Sequence, residues 1–502
     1  MIIPQPAGVR RMPGRLALAP SIRLDAGPGA VPAAELLAHH LGPGRPRSRE
    51  GTPLRLALRP GGPPESYRLV VAPGGLDLTA PALAGLLHGV HTLRLLMDED
   101  GSGWPCVEID DAPVMPRRGV LLDVARHFMP LDFLRSFIDE LALHKLNVLH
   151  LHLTDDQGWR IEIGARPRLT EIGAWRTEPD GSVHGGHYTR KDLVALVEYA
   201  ASRGVEIVPE IDMPGHVRAA LAAYPGLGND PRGGVTVWNG WGVSEDVLAP
   251  HDGSLEFLRD VLTEVAEVFP SPIVHIGGDE CPTVQWERSP AAVLRAREAG
   301  LDDPRLLRSW FVARMHEHLT RLGRRTAVWD DGSRLPGGRL PSDALLTVWL
   351  DAAHAATAVA RGHQVVMAPH TATYFDYRQG DGPDETPAPG HPVTTLADAY
   401  AFEPLAGGLP AADIRRPEQA GVVAVQAQLW TEYAPTPDHV RYLAYPRLCA
   451  FAEAAWCAER PGFAAFRSRL PGHLGVLRSL GALAGPGPRW ERPADAAERM
   501  KR

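Results

Sequence analysis

Gly119-Val-Leu-Leu-Asp-Val124 is a run of apolar residues broken by one aspartate, and it is followed by a helical pattern over residues 131–144. A second apolar run, Asn147-Val-Leu-His-Leu-His-Leu153, comes next. In 131–144 the apolar residues recur at three- and four-residue spacing, as on one face of a helix. The two flanking runs are too short for helices and too continuously apolar for a strand with one wet face. They read as parallel strands buried on both sides, joined by a crossover helix. The same rhythm continues outward. Further strand-like runs lie at 206–211, 273–276, 326–329, 345–349, 364–368 and 422–429, and the clearest helical patterns at 191–203, 255–268, 305–322 and 439–458. Eight such units over about 340 residues predict an α/β fold, a closed (β/α)8 TIM-type barrel, with an insertion-rich open sheet as the alternative.

The segment before this rhythm differs. Residues 1–112 are punctuated by Pro and Gly, with short strand-like runs at 54–58 and 67–72 and a helical stretch at 81–97. They predict a small α+β accessory domain, followed by a catalytic barrel over 113–502 whose tail beyond Arg460 packs back as helix. The connection 371–420, between the seventh and eighth strands, is rich in Gly, Pro and Asp. A loop of that length in a compact domain tends to carry function.

Composition excludes several classes. The 502 residues are 44% hydrophobic and 22% charged, with a formal net charge of -8, so no broad basic field exists to hold nucleic acid. No stretch approaches the roughly 20 uninterrupted apolar residues that span a bilayer, so a membrane partner is not expected. Residues 1–20 contain Pro4, Pro6 and Pro13 and no apolar run of leader length, which leads to the expectation of a cytoplasmic protein. Four cysteines, Cys106, Cys281, Cys449 and Cys457, show neither metal-finger spacing nor a dense disulfide framework; they read as free thiols.

In a barrel of this kind, reactive groups lie at the C-terminal ends of the strands. Collected there are Asp123, Arg126 and His127; Asp155 and Asp156; Glu210, Asp212 and His216; and Asp279 and Glu280. The later strands add Trp329 with Asp330 and Asp331, Trp349 with Asp351, Tyr374 with Asp376, and Trp430 with Glu432. Carboxylates accept from hydroxyls, an arginine donates in a fork, and indole faces cover the C–H patches of a pyranose. The set suits a sugar. In Ile273-Val-His-Ile-Gly-Gly-Asp-Glu280, two adjacent carboxyls of different length follow a buried strand and a Gly-Gly turn. Side chains of neighbouring extended residues diverge, so the pair is expected to reach opposite sides of one reacting centre, one donating a proton and the other accepting a hydrogen bond.

Five segments carry a family resemblance: Val120-Leu-Leu-Asp-Val-Ala-Arg-His-Phe128, Leu149-His-Leu-His-Leu-Thr-Asp-Asp-Gln-Gly-Trp-Arg-Ile161, Pro209-Glu-Ile-Asp-Met-Pro-Gly-His216, His275-Ile-Gly-Gly-Asp-Glu280 and Leu429-Trp-Thr-Glu432. In this order they resemble the family-20 glycoside hydrolases, the β-N-acetylhexosaminidases. Tyr67-Arg-Leu-Val-Val and Gly89-Val-His-Thr-Leu-Arg-Leu-Leu resemble that family's accessory domain. The resemblance implies a retaining exo-enzyme acting on a small carbohydrate with a terminal β-linked N-acetylhexosamine, without cofactor or metal. It implies substrate assistance, an exception to the usual enzyme nucleophile: the acetamido carbonyl attacks C1, Glu280 is the general acid/base, and Asp279 orients and stabilises the acetamido N–H. Tyr374 would then hold the acetamido oxygen, and Trp329, Trp349 and Trp430 would wall the methyl pocket. Arg126, Asp376 and Glu432 would hold ring hydroxyls, and Asp155 and His216 would support the catalytic pair, with Asp212 a further candidate.

One departure stands out. Many family members carry a Trp-Gly-Tyr-like segment after the equivalent of Tyr374-Phe-Asp376, where this chain reads Pro389-Gly-His-Pro-Val-Thr-Thr-Leu396. A tryptophan is missing on the leaving-group side; His391 reads first as a solvent-facing loop residue, with replacement of part of that tryptophan as the alternative. Two rival classes remain open. His150-x-His152 with His216, His275 and Asp155 could ligate a metal in a hydrolase, though histidines inside a strand are more often core residues. A barrel could also bind sugar without turnover. Cys281 reads as a packing residue, and neither the gluco or galacto preference nor the oligomeric state is legible.

Overall fold

The computed structural model describes residues 2–230, 234–331, 340–382, 385 and 388–483. Eight parallel strands close into a barrel: β1 (Arg118–Asp123), β2 (Val148–His152), β3 (Glu206–Glu210), β4 (Ile273–His275), β5 (Arg325–Trp329), β6 (Leu345–Val348), β7 (Val365–Met367) and β8 (Val422–Leu429). Closure is made by β8 on β1, in register from Val425 opposite Arg118 to Leu429 opposite Leu122. All eight expected strands are present. They read as near-continuous apolar runs because helices cover them outside and side chains fill them inside.

The barrel interior is layered. Val148, Val208, Ile273, Ala327, Leu345, Val366 and Ala424 form an apolar plug at the N-terminal end. Above it lie buried polar side chains, among them His150, His152, Glu210, His275, Thr347, Gln426 and Gln428. This second layer forms the floor of the site.

The amino-terminal unit is a six-stranded sheet in the order Gly8–Ala17, Gly103–Asp111, Tyr67–Ala72, Gly75–Ala80, Thr52–Leu58 and Ile22–Ala26. Two helices, Val31–Leu41 and Leu83–Leu96, pack with it. A Cβ on Gly89 would lie 2.3 Å from Leu78 Cδ1, which accounts for glycine in the middle of the second helix. Helix Val31–Leu41 was not anticipated from the sequence.

Two other expectations need correction. The helix expected over 439–458 is two helices, Pro437–Ala444 and Arg447–Trp456, interrupted at Pro446, whose ring cannot continue an α-helical ladder. The connection 371–420 carries its own helix, Leu396–Ala401, started by a Thr395–Asp398 capping box. The tail does pack back: Phe463–Ser479 buries Phe466, Leu470, Leu474 and Leu477 in the barrel's outer core. There His473 Nε2 meets His144 Nε2 at 2.9 Å, while His144 Nδ1 lies 2.7 Å from the Glu140 carbonyl.

The two units share buried charges. Lys145, at a left-handed φ of 59° just past helix Leu131–Leu143, is fully buried and donates to Asp111 Oδ2 at 3.0 Å. Its ammonium also lies 4.5 Å from the Trp456 ring centroid. Removing one member of a buried pair leaves an uncompensated charge. Lys145→Met is therefore expected to lower unfolding free energy by about 3–5 kcal/mol, read from denaturant unfolding of the whole chain. A loss below about 1 kcal/mol would mean that Asp111 finds another donor or a proton.

Candidate active site

Each barrel strand delivers side chains to the same end, and the connecting turns aim them inward. After β1, Asp123 builds the turn: its Oδ1 accepts from the N–H groups of Ala125 and Arg126 at 2.8 and 3.0 Å, and its Oδ2 from Thr431 N–H at 3.1 Å. Arg126 is thereby projected across the pocket, with Nη2 3.0 Å from Asp155 Oδ2 and 3.9 Å from Glu432 Oε1. The guanidinium lies 5.1 Å from the Trp430 ring centroid. Burial pushes the Glu432 carboxyl up to about 7, although Arg126 opposes the shift.

The Asp279-Glu280 pair follows β4. Gly277 has φ 61°, and a Cβ there would lie 1.8 Å from Asp212 Oδ1, so only glycine fits this corner. Gly278 N–H donates to the same oxygen at 3.1 Å. Glu280 has φ 37°, a left-handed backbone rare for a non-glycine residue. The two carboxyls therefore do not diverge because the chain is extended, as expected from sequence; the Glu280 backbone itself is turned. Backbone strain of this kind costs about 1–3 kcal/mol and persists where the surroundings over-determine it.

The environments of the two differ. The Glu280 side chain is 39% exposed, whereas Asp279 Oδ1 is buried with no hydrogen-bond partner among the described residues. Burial pushes the Asp279 carboxyl up to about 7; the His216 cation opposes this, and repulsion from Asp331 and Glu280 reinforces it. Other buried atoms at this end also lack partners among the described residues, among them Arg126 Nε, Asp376 Oδ1 and His216 Nε2. Buried polar groups are normally satisfied, so convergent orphans mark the place where a polar ligand belongs.

Aromatic rings enclose the same space. Trp329 and Trp430 have centroids 5.9 Å apart, and Trp349 stacks on Tyr374 at 6.0 Å. Two of the indole nitrogens have acceptors: Trp329 donates to Glu210 at 2.9 Å and Trp349 to Asp331 at 2.6 Å. These two rings are thus fixed in orientation, leaving their faces as walls.

Behind Glu280 lies a line of alternating acids and imidazoles. His216 Nε2 is 3.7 Å from Glu280 Oε2, and His216 Nδ1 donates to Asp155 Oδ1 at 3.1 Å. Burial disfavours charge on His216, but Asp155 outweighs it and raises the imidazole well above its ordinary value. Asp155 is itself held well below the usual carboxylate range, against its burial, chiefly by Arg126 and His216. Asp155 and His216, which could have been purely structural, thus connect Arg126 to Glu280.

All eleven residues singled out from the sequence lie at this end of the barrel. Three further groups were missed in their roles: Asp331, which anchors Trp349; Glu210, which anchors Trp329; and His152, which bridges Glu210 and Asp155. His391 is 40% exposed, in line with the sequence reading, its Nδ1 is 3.8 Å from Asp376 Oδ2, and its ring stands edge-on to Tyr377 at 4.8 Å. At His152 the metal reading fares poorly on chemistry. His152 faces a carboxylate oxygen from each ring nitrogen, at 2.7 and 2.8 Å, so both carry hydrogens and neither offers a lone pair. Cys281 is buried, which pushes its thiol up to about 12, and it packs as expected.

A closed parallel barrel with an adjacent Asp-Glu pair under a box of indoles is a site shaped for a glycosidic bond. Residues 116–459 match "Glycosyl hydrolase family 20, catalytic domain", and residues 1–112 match "Glycosyl hydrolase family 20, domain 2". A β-hexosaminidase of Porphyromonas gingivalis is 39% identical over 81% of this chain, and the match spans about half of that relative's length, 52%. A β-hexosaminidase of Vibrio furnissii is 35% identical, covering 90% of this chain and 76% of its own. Among solved structures, an exo-β-N-acetylglucosaminidase of Vibrio harveyi in complex with N-acetylglucosamine superimposes with a TM-score of 0.87 at 31% identity, covering 96% of this chain and 77% of its own. The chain belongs to glycosyl hydrolase family 20.

Proposed function

We propose that the protein is a retaining exo-β-N-acetylhexosaminidase that releases terminal β-linked GlcNAc or GalNAc by substrate assistance. The observation that carries this reading is the unlike pair after β4: an exposed Glu280 on a turned backbone beside a half-buried Asp279 whose buried Oδ1 lacks a partner among the described residues. In the first step the acetamido carbonyl oxygen bonds to C1, the C1–O bond to the aglycone breaks, and Glu280 gives its proton to the departing oxygen. An oxazolinium ring forms, and Asp279 accepts its N–H and offsets its charge. In the second step Glu280, now a carboxylate, takes a proton from water. The water oxygen bonds to C1, the ring reopens to the acetamide, and two inversions give net retention.

The remaining roles follow. Tyr374 holds the acetamido oxygen; Trp329, Trp349 and Trp430 surround its methyl; Arg126, Asp376 and Glu432 take ring hydroxyls. The activity named for the Porphyromonas and Vibrio relatives, and the N-acetylglucosamine bound in the Vibrio harveyi structure, support the reading. The test is hydrolysis of a chromogenic β-N-acetylglucosaminide beside the matched β-glucoside, with EDTA present. Turnover of the acetamido substrate alone, undiminished by chelator, is expected; equal turnover of the glucoside overturns substrate assistance, and glycan binding without turnover restores the non-catalytic reading.

A further inference from the structure

We propose that Glu210 and His152, which reach no substrate, are positioning residues that hold Asp155 as a carboxylate and thereby set the proton on His216 behind the general acid. The proposal rests on the assignment of Glu280 as that acid and adds two links to the line already described.

Glu210 ends β3 and is fully buried. Its Oε2 accepts from His152 Nδ1 at 2.7 Å and lies 3.0 Å from His150 Nε2, while its Oε1 accepts from Trp329 at 2.9 Å and lies 3.0 Å from His275 Nδ1. Burial would raise the Glu210 carboxyl, but the imidazoles of His152, His275 and His150 around it hold it well below the usual carboxylate range. On its other side, His152 Nε2 donates to Asp155 Oδ2 at 2.8 Å. An imidazole between two carboxylates donates from both nitrogens, so His152 is an imidazolium. Burial opposes this charge, and Glu210 and Asp155 together outweigh it, raising the ring well above its ordinary value. The sequence of groups from the barrel core to the acid is therefore anion, cation, anion, cation, then Glu280. The other groups facing this line are Arg126 from the β1 end, Asp156 from the β2 end, Asp212 from the β3 end and Asp279 from the β4 end. The Trp430 ring closes over His152 edge-on, with centroids 4.9 Å apart, and keeps the line dry.

The consequence is a division of the negative charge on Asp155 between two imidazolium rings and Arg126. In Glu210→Gln the amide can still donate to Nδ1 and His152 can still donate from Nε2, so the hydrogen bonds survive while the imidazolium charge is lost. His216, already an imidazolium in the wild type, then remains as the one titrating cation on Asp155, with its Nε2 3.7 Å from Glu280 Oε2.

The experiment measures kcat/KM against pH for wild type, Glu210→Gln and His152→Gln on the aryl β-N-acetylglucosaminide, alongside thermal unfolding and 15N NMR of histidine-labelled protein. The expected result is a basic limb displaced to higher pH by about one unit in His152→Gln, which loses a cation and keeps the Glu210 anion, and by less in Glu210→Gln, which loses an anion and a cation together. kcat at neutral pH should fall about tenfold, with KM within about twofold of wild type. The His152 ring should be doubly protonated at pH 8 in wild type and neutral in Glu210→Gln. A pH profile superimposable on wild type, with lost activity tracking only the folded fraction, overturns the proposal; so does a neutral His152 in wild type. The NMR readout needs no turnover, so an inactive wild type would sink the glycosidase reading while leaving the charge arrangement to be judged separately. Should Glu210→Gln not fold, His152→Gln alone decides through its pH profile.

Discussion

Glu280→Gln is expected to lower kcat on an aryl β-N-acetylglucosaminide by about three orders of magnitude, in the middle of the range for general acid–base catalysis. Gln matches Glu in length and can follow the same left-handed turn, so the change removes the proton and little else. The loss should depend on the leaving group. A poor one, such as an alkoxide of a second sugar, needs the proton in the first step and should suffer most; an acidic nitrophenol should leave almost unaided. With that substrate the variant should form the oxazoline quickly and hydrolyse it slowly, because the same side chain must also activate water. A burst of phenol followed by slow turnover, seen in stopped-flow absorbance, is the expected trace. A uniform loss across leaving groups would instead indicate that Glu280 only binds.

Asp279→Asn should cost about two to three orders of magnitude in kcat, the range found when one preorganised electrostatic partner of a transition state is removed. The cost arises because an amide cannot offset the positive charge of the oxazolinium. The effect should be confined to substrates bearing the acetamide, and affinity for a neutral thiazoline analogue of the intermediate should fall less than kcat. The acid side of the pH profile belongs to the same group. Asp279 must be ionised to act, and its carboxyl is raised to about 7 by burial together with Asp331 and Glu280. kcat/KM of the wild type is therefore lost as pH falls through that value, and the Asn variant should lack this limb. An acid limb that persists unchanged in Asp279→Asn would assign it to another carboxyl.

Much of this arrangement was legible because barrels write themselves plainly. Strands such as Ile273–His275 are buried on both faces and appear as apolar runs, and their last residues necessarily face the site. What the sequence hid was local geometry. Nothing in Asp279-Glu280 announces a left-handed Glu280, since strain of that kind is imposed by surrounding structure. His150 and His152 looked alike as alternate strand residues, yet only His152 sits between two carboxylates; the difference lies in partners from β3 and in Asp155. His391 faces solvent as read, but a loop histidine has no pattern, and its approach to Asp376 depends on how the segment after β7 folds back. In the amino-terminal unit, helix Val31–Leu41 is rich in alanine and carries no side-chain N-cap, so its apolar stripe is weak. The break at Pro446 was signalled by the proline itself and outweighed by the apolar periodicity on either side.

The charges shared between the two units bear on whether either could evolve alone. Arg118 opens β1, is fully buried, and forms a forked pair with Glu65 of the amino-terminal unit at 2.8 and 3.0 Å. Lys145, one turn past the first barrel helix, depends in the same way on Asp111. A barrel cut free at residue 113 would retain two dry cations whose counterions had gone with the discarded piece. Such a fragment would have to flood its own base with water or lose a proton from Lys145, and both routes loosen β1, the strand that carries Arg126. The small sheet domain therefore behaves as an integral electrostatic half of the enzyme, and a lineage shuffling modules could acquire or lose it only together with replacements at Arg118 and Lys145.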